Sequence, residues 1–343
     1  MIFPGRAASD PWRDERITVA SRYFEAVIIT FTPNPSLDRT ASLPHELSVG
    51  QRNQLAGVST QAAGRGVNVS RALHNAGRST LAVLPLDPDD PLTEALRERG
   101  VPNRPVPVGR RARTNLGVSH PDGTVTKFVE PGEPLTPENV TALFSTVMAA
   151  VPGADWLALC GSLPPGAPAD WFVRLTQLAH EVNVPVAVDT HGQALLAVIA
   201  ALPDTAPDVF APNAAELEVA SGMSIIPSLL SGDIAPAVAA AQSLVDRGIP
   251  RVLATIGSLG AVLVTDHGAW YAVAEPVKVV SAVGAGDSAL AGYLLARLDG
   301  AQDADALARA VAYGTACVLL PGANVPLPEQ ADAVTVLVSE LPH

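Results

Sequence analysis

The segment Val283-Gly284-Ala285-Gly286-Asp287-Ser288 sets a carboxylate directly after a tight glycine turn. Leu290, Tyr293, Leu294, Leu295 and Leu298 follow at helical spacing, which predicts a helix from Asp287 to Leu298, and Val277–Val280 before the turn reads as a strand. A strand-turn-helix of this kind aims unpaired backbone N–H groups outward at a helix N-terminus, where the helix dipole also favours a phosphate or an anionic transition state. A carboxylate in that position repels a static phosphate but is well placed to take a proton from a hydroxyl attacking one. The residues therefore point to phosphoryl transfer, with Asp287 as general base and the Gly284, Ala285 and Gly286 amides around the transferring group. Two other readings use the same residues. Asp287 can cap a helix after a glycine-rich turn. Alternatively, Gly284-x-Gly286-x-x-Ala289 fits a relaxed dinucleotide fingerprint, with Asp303 or Asp305 near the ribose of NAD in an oxidoreductase. That fingerprint belongs in the first βαβ unit, however, and Asp287 would face the pyrophosphate with its own charge.

Other constellations lie upstream. In Thr32-Pro33-Asn34-Pro35-Ser36-Leu37-Asp38, a carboxylate near a strand end can accept two hydroxyl hydrogen bonds in fixed directions, or simply close an Asx-turn. In Ala63-Gly64-Arg65-Gly66-Val67-Asn68, small residues let backbone approach a ligand, Asn68 can donate and accept, and Arg65 offers a planar fork suited to phosphate. A glycine-rich entry to a helix with a solvated arginine is the plainer account of the same residues. Arg110, Arg111 and Arg113, followed by Asn115, form a locally basic segment that is either a phosphate contact or a solvated charge run. Gly161-Ser162-Leu163-Pro164 follows an apolar strand. Asn213 and Glu216 stand one helical turn apart, a spacing that suits a hydrated hard cation and equally a capping box.

Short apolar runs alternate with helix-period segments from Val27 onward, the pattern of a doubly wound, mostly parallel α/β sheet with helices on both faces. Strands are expected at Val27–Thr32, Trp156–Cys160, Val184–Asp189, Val209–Ala211 and Val252–Ile256. Thr136-Pro137-Glu138 reads as an N-cap, proline at the first helical position and an acidic first turn, and Ala169–Val182 carries an apolar stripe. Residues 37–62 lack helical period, and Asn115–Ser119 and Thr124–Val129 read as a hairpin around Pro121-Asp122-Gly123. We expect a single domain over residues 27–343 with a small β lid built from segments at about 37–62 and 106–131, preceded by an N-terminal extension over residues 1–26.

With 343 residues, 48% of them hydrophobic, the chain can bury a large core. Its net charge of −12 leaves no footprint for nucleic acid or an anionic membrane, so an anionic substrate must be gathered by local arginines. Only two lysines occur, Lys127 and Lys278, and no Gly-Lys pair exists, which excludes a Walker A loop. Cys160 and Cys317 sit in apolar surroundings without metal or redox spacing, and read as buried free thiols. No run of 18 apolar residues and no signal-peptide core is present, so a cytoplasmic protein is expected.

These motifs, in this order, resemble the ribokinase-like (PfkB) carbohydrate kinases, and within them the 1-phosphofructokinase and tagatose-6-phosphate kinase branch, from about Ile28 to Val336. The resemblance implies that Asp38, Gly64 and Asn68 hold the sugar. It implies that Arg113 and Asn115, in the branch's Arg-x-Asn, meet a phosphate already on the sugar, and Arg65 would join them. Asn213 and Glu216, in Asn-x-x-Glu, would position Mg²⁺ and the nucleotide phosphates through water. Thr255, Gly257 and Gly260 would let the nucleotide lie against backbone. The expected reaction is ATP- and Mg²⁺-dependent phosphorylation of fructose 1-phosphate to fructose 1,6-bisphosphate, with tagatose 6-phosphate or fructose 6-phosphate as alternative acceptors. A non-catalytic sugar-phosphate sensor is the non-enzymatic alternative. The resemblance also implies a homodimer through the lid strands. Three departures bear on substrate and cation: Ala63 and Arg65 stand where the family writes glycine and lysine, and Ser281-Ala282 replaces a more usual polar pair.

Overall fold

A computed structural model describes residues 27–122 and 124–342; the extension expected over residues 1–26 lies outside them. In chain order the strands are β1 (Val27–Phe31), β2 (Ser36–Ser42), β3 (Gly57–Ala63), β4 (Ser79–Leu84), β5 (Asn103–Pro105), β6 (Arg113–Ser119), β7 (Val125–Val129), β8 (Trp156–Cys160), β9 (Val186–Asp189), β10 (Val209–Phe210), β11 (Arg251–Thr255), β12 (Ala261–Thr265), β13 (Gly268–Ala274) and β14 (Val336–Leu341). The helices are α1 (Arg65–Asn75), α2 (Pro91–Glu98), α3 (Pro137–Ala150), α4 (Trp171–Glu181), α5 (Gly192–Ala200), α6 (Ala214–Ser221), α7 (Ile226–Leu230), α8 (Ala235–Val245), α9 (Ala285–Leu298), α10 (Asp303–Val318) and α11 (Pro328–Asp332).

Ten strands form one sheet in the order β14-β13-β12-β11-β10-β9-β8-β1-β4-β5. Neighbours from β5 to β11 pair in parallel, and β11 to β14 pair antiparallel. The alternation of side chains along each strand divides the core in two. Ile29 and Phe31 of β1 face α3 and α4, where Phe31 meets Trp171 edge-on with ring centroids 5.0 Å apart. Ile28 faces the other way, onto Val69, Ala72 and Leu73 of α1 and Leu290, Tyr293 and Leu294 of α9. The sheet is thus covered on both faces, as the continuous apolar strands required.

Helix α9 is set by its contact with α10. A Cβ added to Gly292 would lie 2.6 Å from the Arg309 carbonyl and 2.9 Å from Tyr313 Cβ, so only glycine permits this close approach. The helix begins at Ala285, two residues before the expected start, because Gly284 takes φ +82° and opens the turn. Val277–Val280, expected as a strand, is not one. β13 ends at Ala274, opposite Val336 at the start of β14, so the following residues have no ladder to join. They cross toward α9 with Val279 and Val280 exposed and only the Val280 N–H caught, by the Val318 carbonyl at 2.8 Å.

The segments expected to build a lid form a separate four-stranded sheet in the order β3-β2-β6-β7. β2 pairs in parallel with β6, and both flanking pairs are antiparallel. This register places Asp38 opposite Asn115. Thr136 caps α3 in a reciprocal box with Asn139, while Cys160 and Cys317 are buried free thiols. Among the described residues no helix is long and apolar enough to cross a membrane.

Candidate active site

A cleft of about 440 Å³ opens outside the carboxyl ends of β1, β8, β9, β10 and β11, where doubly wound sheets place ligands, with lid residues on one side and the α9 N-terminus on the other. It gathers Asp38, Gly64, Arg65, Asn68, Arg113, Asn115, Asn213, Glu216, Thr255, Gly284, Gly286 and Asp287, which are scattered over 250 positions of chain. Ala285, the first residue of α9, is not part of its lining, and neither are Gly257 and Gly260. They flank the turn after β11, and Gly260 is pressed against the Ala272 carbonyl of β13, so it serves packing there.

Asp287 lies in the first turn of α9 and is 8% exposed. Its Oδ2 accepts a 2.7 Å hydrogen bond from Asn68 Nδ2, and no side chain caps the helix, so the capping account of this carboxylate does not describe it. Burial raises its pKa above the ordinary carboxylate value, Asp38 and Glu216 push the same way, and Arg65 and the Asn68 bond oppose them. A raised pKa makes a carboxylate a better proton acceptor near neutral pH. Gly286 also lines the cleft, and a Cβ built on it meets no atom within 4 Å, so there is open space for a ligand beside the turn.

On the lid side, Asp38 Oδ1 receives Ser36 Oγ at 2.8 Å and Asn115 Nδ2 at 2.9 Å. Arg113 Nη1 donates to the Glu130 carbonyl at 2.7 Å. Two buried polar atoms here find no partner, Asn115 Oδ1 and Arg113 Nε. One is an acceptor suited to a hydroxyl and the other a donor suited to an anionic oxygen, and an orphan of either kind costs about 1–3 kcal/mol unless a ligand completes it. Lys127 of β7 reaches the same cleft. Arg110, from the same basic segment, is buried instead, donating from Nη2 to the Pro33 carbonyl at 3.0 Å and from Nη1 to the Glu133 carbonyl.

The opposite wall is built on Arg65 at the first position of α1. Its Nη1 pairs with Asp189, its Nη2 with Glu216 Oε1 at 2.6 Å, and His191 Nδ1 lies 3.2 Å away. Burial works against this guanidinium, but Asp189, Glu216 and Asp287 together outweigh it and hold its pKa above the usual arginine value. Asp189 is pushed up to about 7, first by burial; Arg65 pulls it down, and Asp287 and Glu216 push it up. Arg65 therefore gives its charge to a carboxylate cluster rather than standing free beside Arg113.

Asn213 and Glu216 form a reciprocal capping box for α6: Asn213 N donates to Glu216 Oε2 at 2.9 Å and Glu216 N to Asn213 Oδ1 at 3.0 Å. Their oxygens are thus already engaged, and no group of three or more potential metal-ligating side chains occurs among the described residues. This donor set fits a cation that keeps its water shell better than one ligated directly. Among the cleft residues to which the reading of the sequence gave no role are Asn34, Ser36, Lys127, Asp189 and His191. Asp189 carried a signal, since it ends a fully apolar parallel strand, where α/β sites collect polar groups.

Comparisons with known proteins agree with this geometry. Residues 34–330 match the family described as pfkB family carbohydrate kinase. The chain is 31% identical over 321 residues to a 1-phosphofructokinase of Rhodobacter capsulatus, covering 92% of this chain and 98% of the relative. It is 28% identical over 299 residues to an ATP-dependent 6-phosphofructokinase isozyme 2 of Mycobacterium tuberculosis, covering 86% and 85%. The crystal structure of phosphofructokinase-2 from Escherichia coli in complex with substrates and products superimposes with a TM-score of 0.80 at 28% identity, over 90% of this chain and 97% of that one.

Proposed function

Because the chain belongs to the pfkB family of carbohydrate kinases, we propose that it transfers the γ-phosphoryl group of ATP to a hydroxyl of fructose 1-phosphate, forming fructose 1,6-bisphosphate and ADP. Phosphoryl transfer to a carbohydrate hydroxyl is the family's chemistry, and it argues against the sensor and the NAD-dependent oxidoreductase. The observation that supports the mechanism is the buried Asp287, held by Asn68 at the open amide turn of α9.

Asp38, Asn115 and Asn68 orient the sugar, and Arg113 and Lys127 receive the phosphate it already carries. Asp287 accepts the proton of the attacking hydroxyl as its oxygen bonds to the γ-phosphorus and the bond to ADP breaks. The Gly284 and Gly286 amides and the α9 dipole stabilise the charge on the transferring group. Arg65 keeps three carboxylates, Asp189, Glu216 and Asp287, compatible within one wall. Mg²⁺, when bound, neutralises nucleotide phosphates; Asn213, Glu216 and Asp189 would hold it through water. A homodimer through the lid strands belongs to the same reading, with Val58, Val125 and Phe128 exposed on that sheet.

Fructose 6-phosphate or tagatose 6-phosphate is the second reading, favoured by the 28% identity to a 6-phosphofructokinase isozyme and by phosphate ligands that do not specify the sugar carbon bearing the phosphate. A coupled ADP-release assay over fructose 1-phosphate, fructose 6-phosphate, tagatose 6-phosphate and free fructose tests both. The highest kcat/KM is expected for fructose 1-phosphate. A tenfold preference for either 6-phosphate would replace the first reading with the second, and a preference for free fructose would remove both.

A further inference from the structure

A second cavity of about 440 Å³ lies away from the cleft, between α1, the α2–β5 turn and the segment joining α10 to α11. Its polar lining is Arg71, Arg99, Asn75, Asn324 and Gln330; the remainder is apolar, and no acidic residue lines it. This is unusual in a chain of net charge −12, where Arg65, Arg78, Arg97, Arg251, Arg297 and Arg309 each pair with a carboxylate.

Arg71 is only 3% exposed. The bonds it makes run from Nη1, to the Ala62 and Ala323 carbonyls at 3.0 and 2.8 Å and to Asn68 Oδ1 at 3.2 Å, so none neutralises it. Burial, and next the charge of Arg99, depress its pKa to about 10. The Arg99 guanidinium has no ion pair or hydrogen-bond partner among the described residues; only its backbone N–H is engaged, by the Leu96 carbonyl at 3.2 Å. A buried cation facing a second cation across a polar cavity is costly unless an anion sits between them. Two guanidinium groups offer the fork geometry that recognises a tetrahedral oxyanion.

We propose that this cavity is an anion site for phosphate, free or carried on a small organic molecule, and that its occupancy is transmitted to the catalytic carboxylate through Arg71, Asn68 and Asp287. The path is one of contacts: Arg71 Nη1 donates to Asn68 Oδ1, and Asn68 Nδ2 donates to Asp287 Oδ2. An anion that draws the Arg71 guanidinium toward the cavity loosens its hold on Asn68, and Asn68 is the hydrogen-bond partner that orients Asp287. The transmitted half of this proposal rests on Asp287 acting as the base.

The test uses the full chain. Calorimetric titration with inorganic phosphate and, separately, glycerol 3-phosphate is carried out without sugar or ATP on an Arg113→Gln background, which weakens phosphate capture in the cleft. Binding is expected to persist there and to weaken at least tenfold when Arg99→Gln is added. Tighter binding of glycerol 3-phosphate identifies a carried phosphate as the ligand, and tighter binding of inorganic phosphate a free one. In steady-state assays with Arg113 intact, saturating phosphate is expected to lower kcat at least twofold in the native chain and to leave Arg99→Gln unchanged. Arg99 is exposed and outside the catalytic machinery, so its variant should fold and keep its basal kcat. Phosphate binding that is absent or indifferent to Arg99 overturns the site, and an unchanged kcat overturns the transmission. The binding result stands apart from the kinase reading because no turnover is involved.

Discussion

Asn68 and Asp287 are 219 positions apart, yet the Asn68 amide donates to the Asp287 carboxylate across 2.7 Å inside the protein. A charged group this deeply buried needs such a donor. The bond also fixes which oxygen remains free: Oδ2 is held, and Oδ1 is left for the substrate proton. α1 and α9, packed against each other on one face of the sheet, bring the two together.

Asp287→Asn should therefore bind substrates nearly normally and lose turnover. The expected result is a fall in kcat of about 10³-fold, within the range of a lost general base, with KM values changed less than about threefold. Steady-state kinetics with both substrates varied checks this. Retention of kcat within a few-fold would remove Asp287 from the role of base.

The same carboxylate sets a pH dependence of stability. Its folded pKa, like that of Asp189, is raised above the unfolded value, so between those values the folded state holds more protons than the unfolded state. Stability is then fully present below the ordinary carboxylate pKa and declines as pH rises through the folded values, which for Asp189 means up to about 7. Asp287→Asn removes one of these groups. Its melting temperature should exceed that of the native chain at pH 8, and the gap should close at pH 4, as thermal melts across pH would show.

Arg113→Gln tests the division of labour between the two cleft walls. Loss of a charge-assisted contact to phosphate costs about 1.5–3 kcal/mol, so KM for the sugar phosphate should rise roughly 10- to 150-fold. KM for ATP should hardly move, and kcat/KM for the unphosphorylated sugar should stay within about twofold of the native value. Equal losses for both sugars would show that Arg113 shapes the lid rather than reading the phosphate.

How much of this was legible in the sequence depended on whether the cause is local. Trp156–Cys160 is apolar throughout and flanked by turn residues, and the structure begins and ends that strand at the same positions. The Thr136 cap and its proline are equally local. Val277–Val280 has strand composition, but a strand needs a partner, and the edge of the sheet had already been closed by β14, which comes later in the chain. Arg65 is a similar case at the site. Its type and place in a glycine-rich turn suggested phosphate, whereas its bonds are set by Asp189 and Glu216, residues 124 and 151 positions away that only the parallel strand order brings near.

Gly64→Ala probes the turn that delivers Arg65 and Asn68. Gly64 has φ +121°, a conformation that disfavours any Cβ, and the added atom would lie 3.0 Å from Thr32 Cγ2 and 3.2 Å from Pro35 Cα. Strain of this kind costs about 1–3 kcal/mol. Denaturant unfolding should register that loss, and kcat should fall with it, because the start of α1 must shift and carry Asn68 away from Asp287.

Arg65 offers the sharpest separation of electrostatics from substrate contact. Arg65→Gln leaves Asp189, Glu216 and Asp287 facing one another without a cation, and breaking so enclosed a cluster costs about 3–5 kcal/mol. Arg65 lowers the pKa of Asp287, so its removal should raise that pKa further and move the acid limb of the kcat/KM profile to higher pH. Arg65→Lys keeps the charge but not the fork that reaches Asp189 and Glu216 separately. It should restore the position of the acid limb while recovering only part of the stability. If Arg65 instead gripped the sugar's phosphate, both variants would raise KM for the sugar phosphate and leave the acid limb where it was.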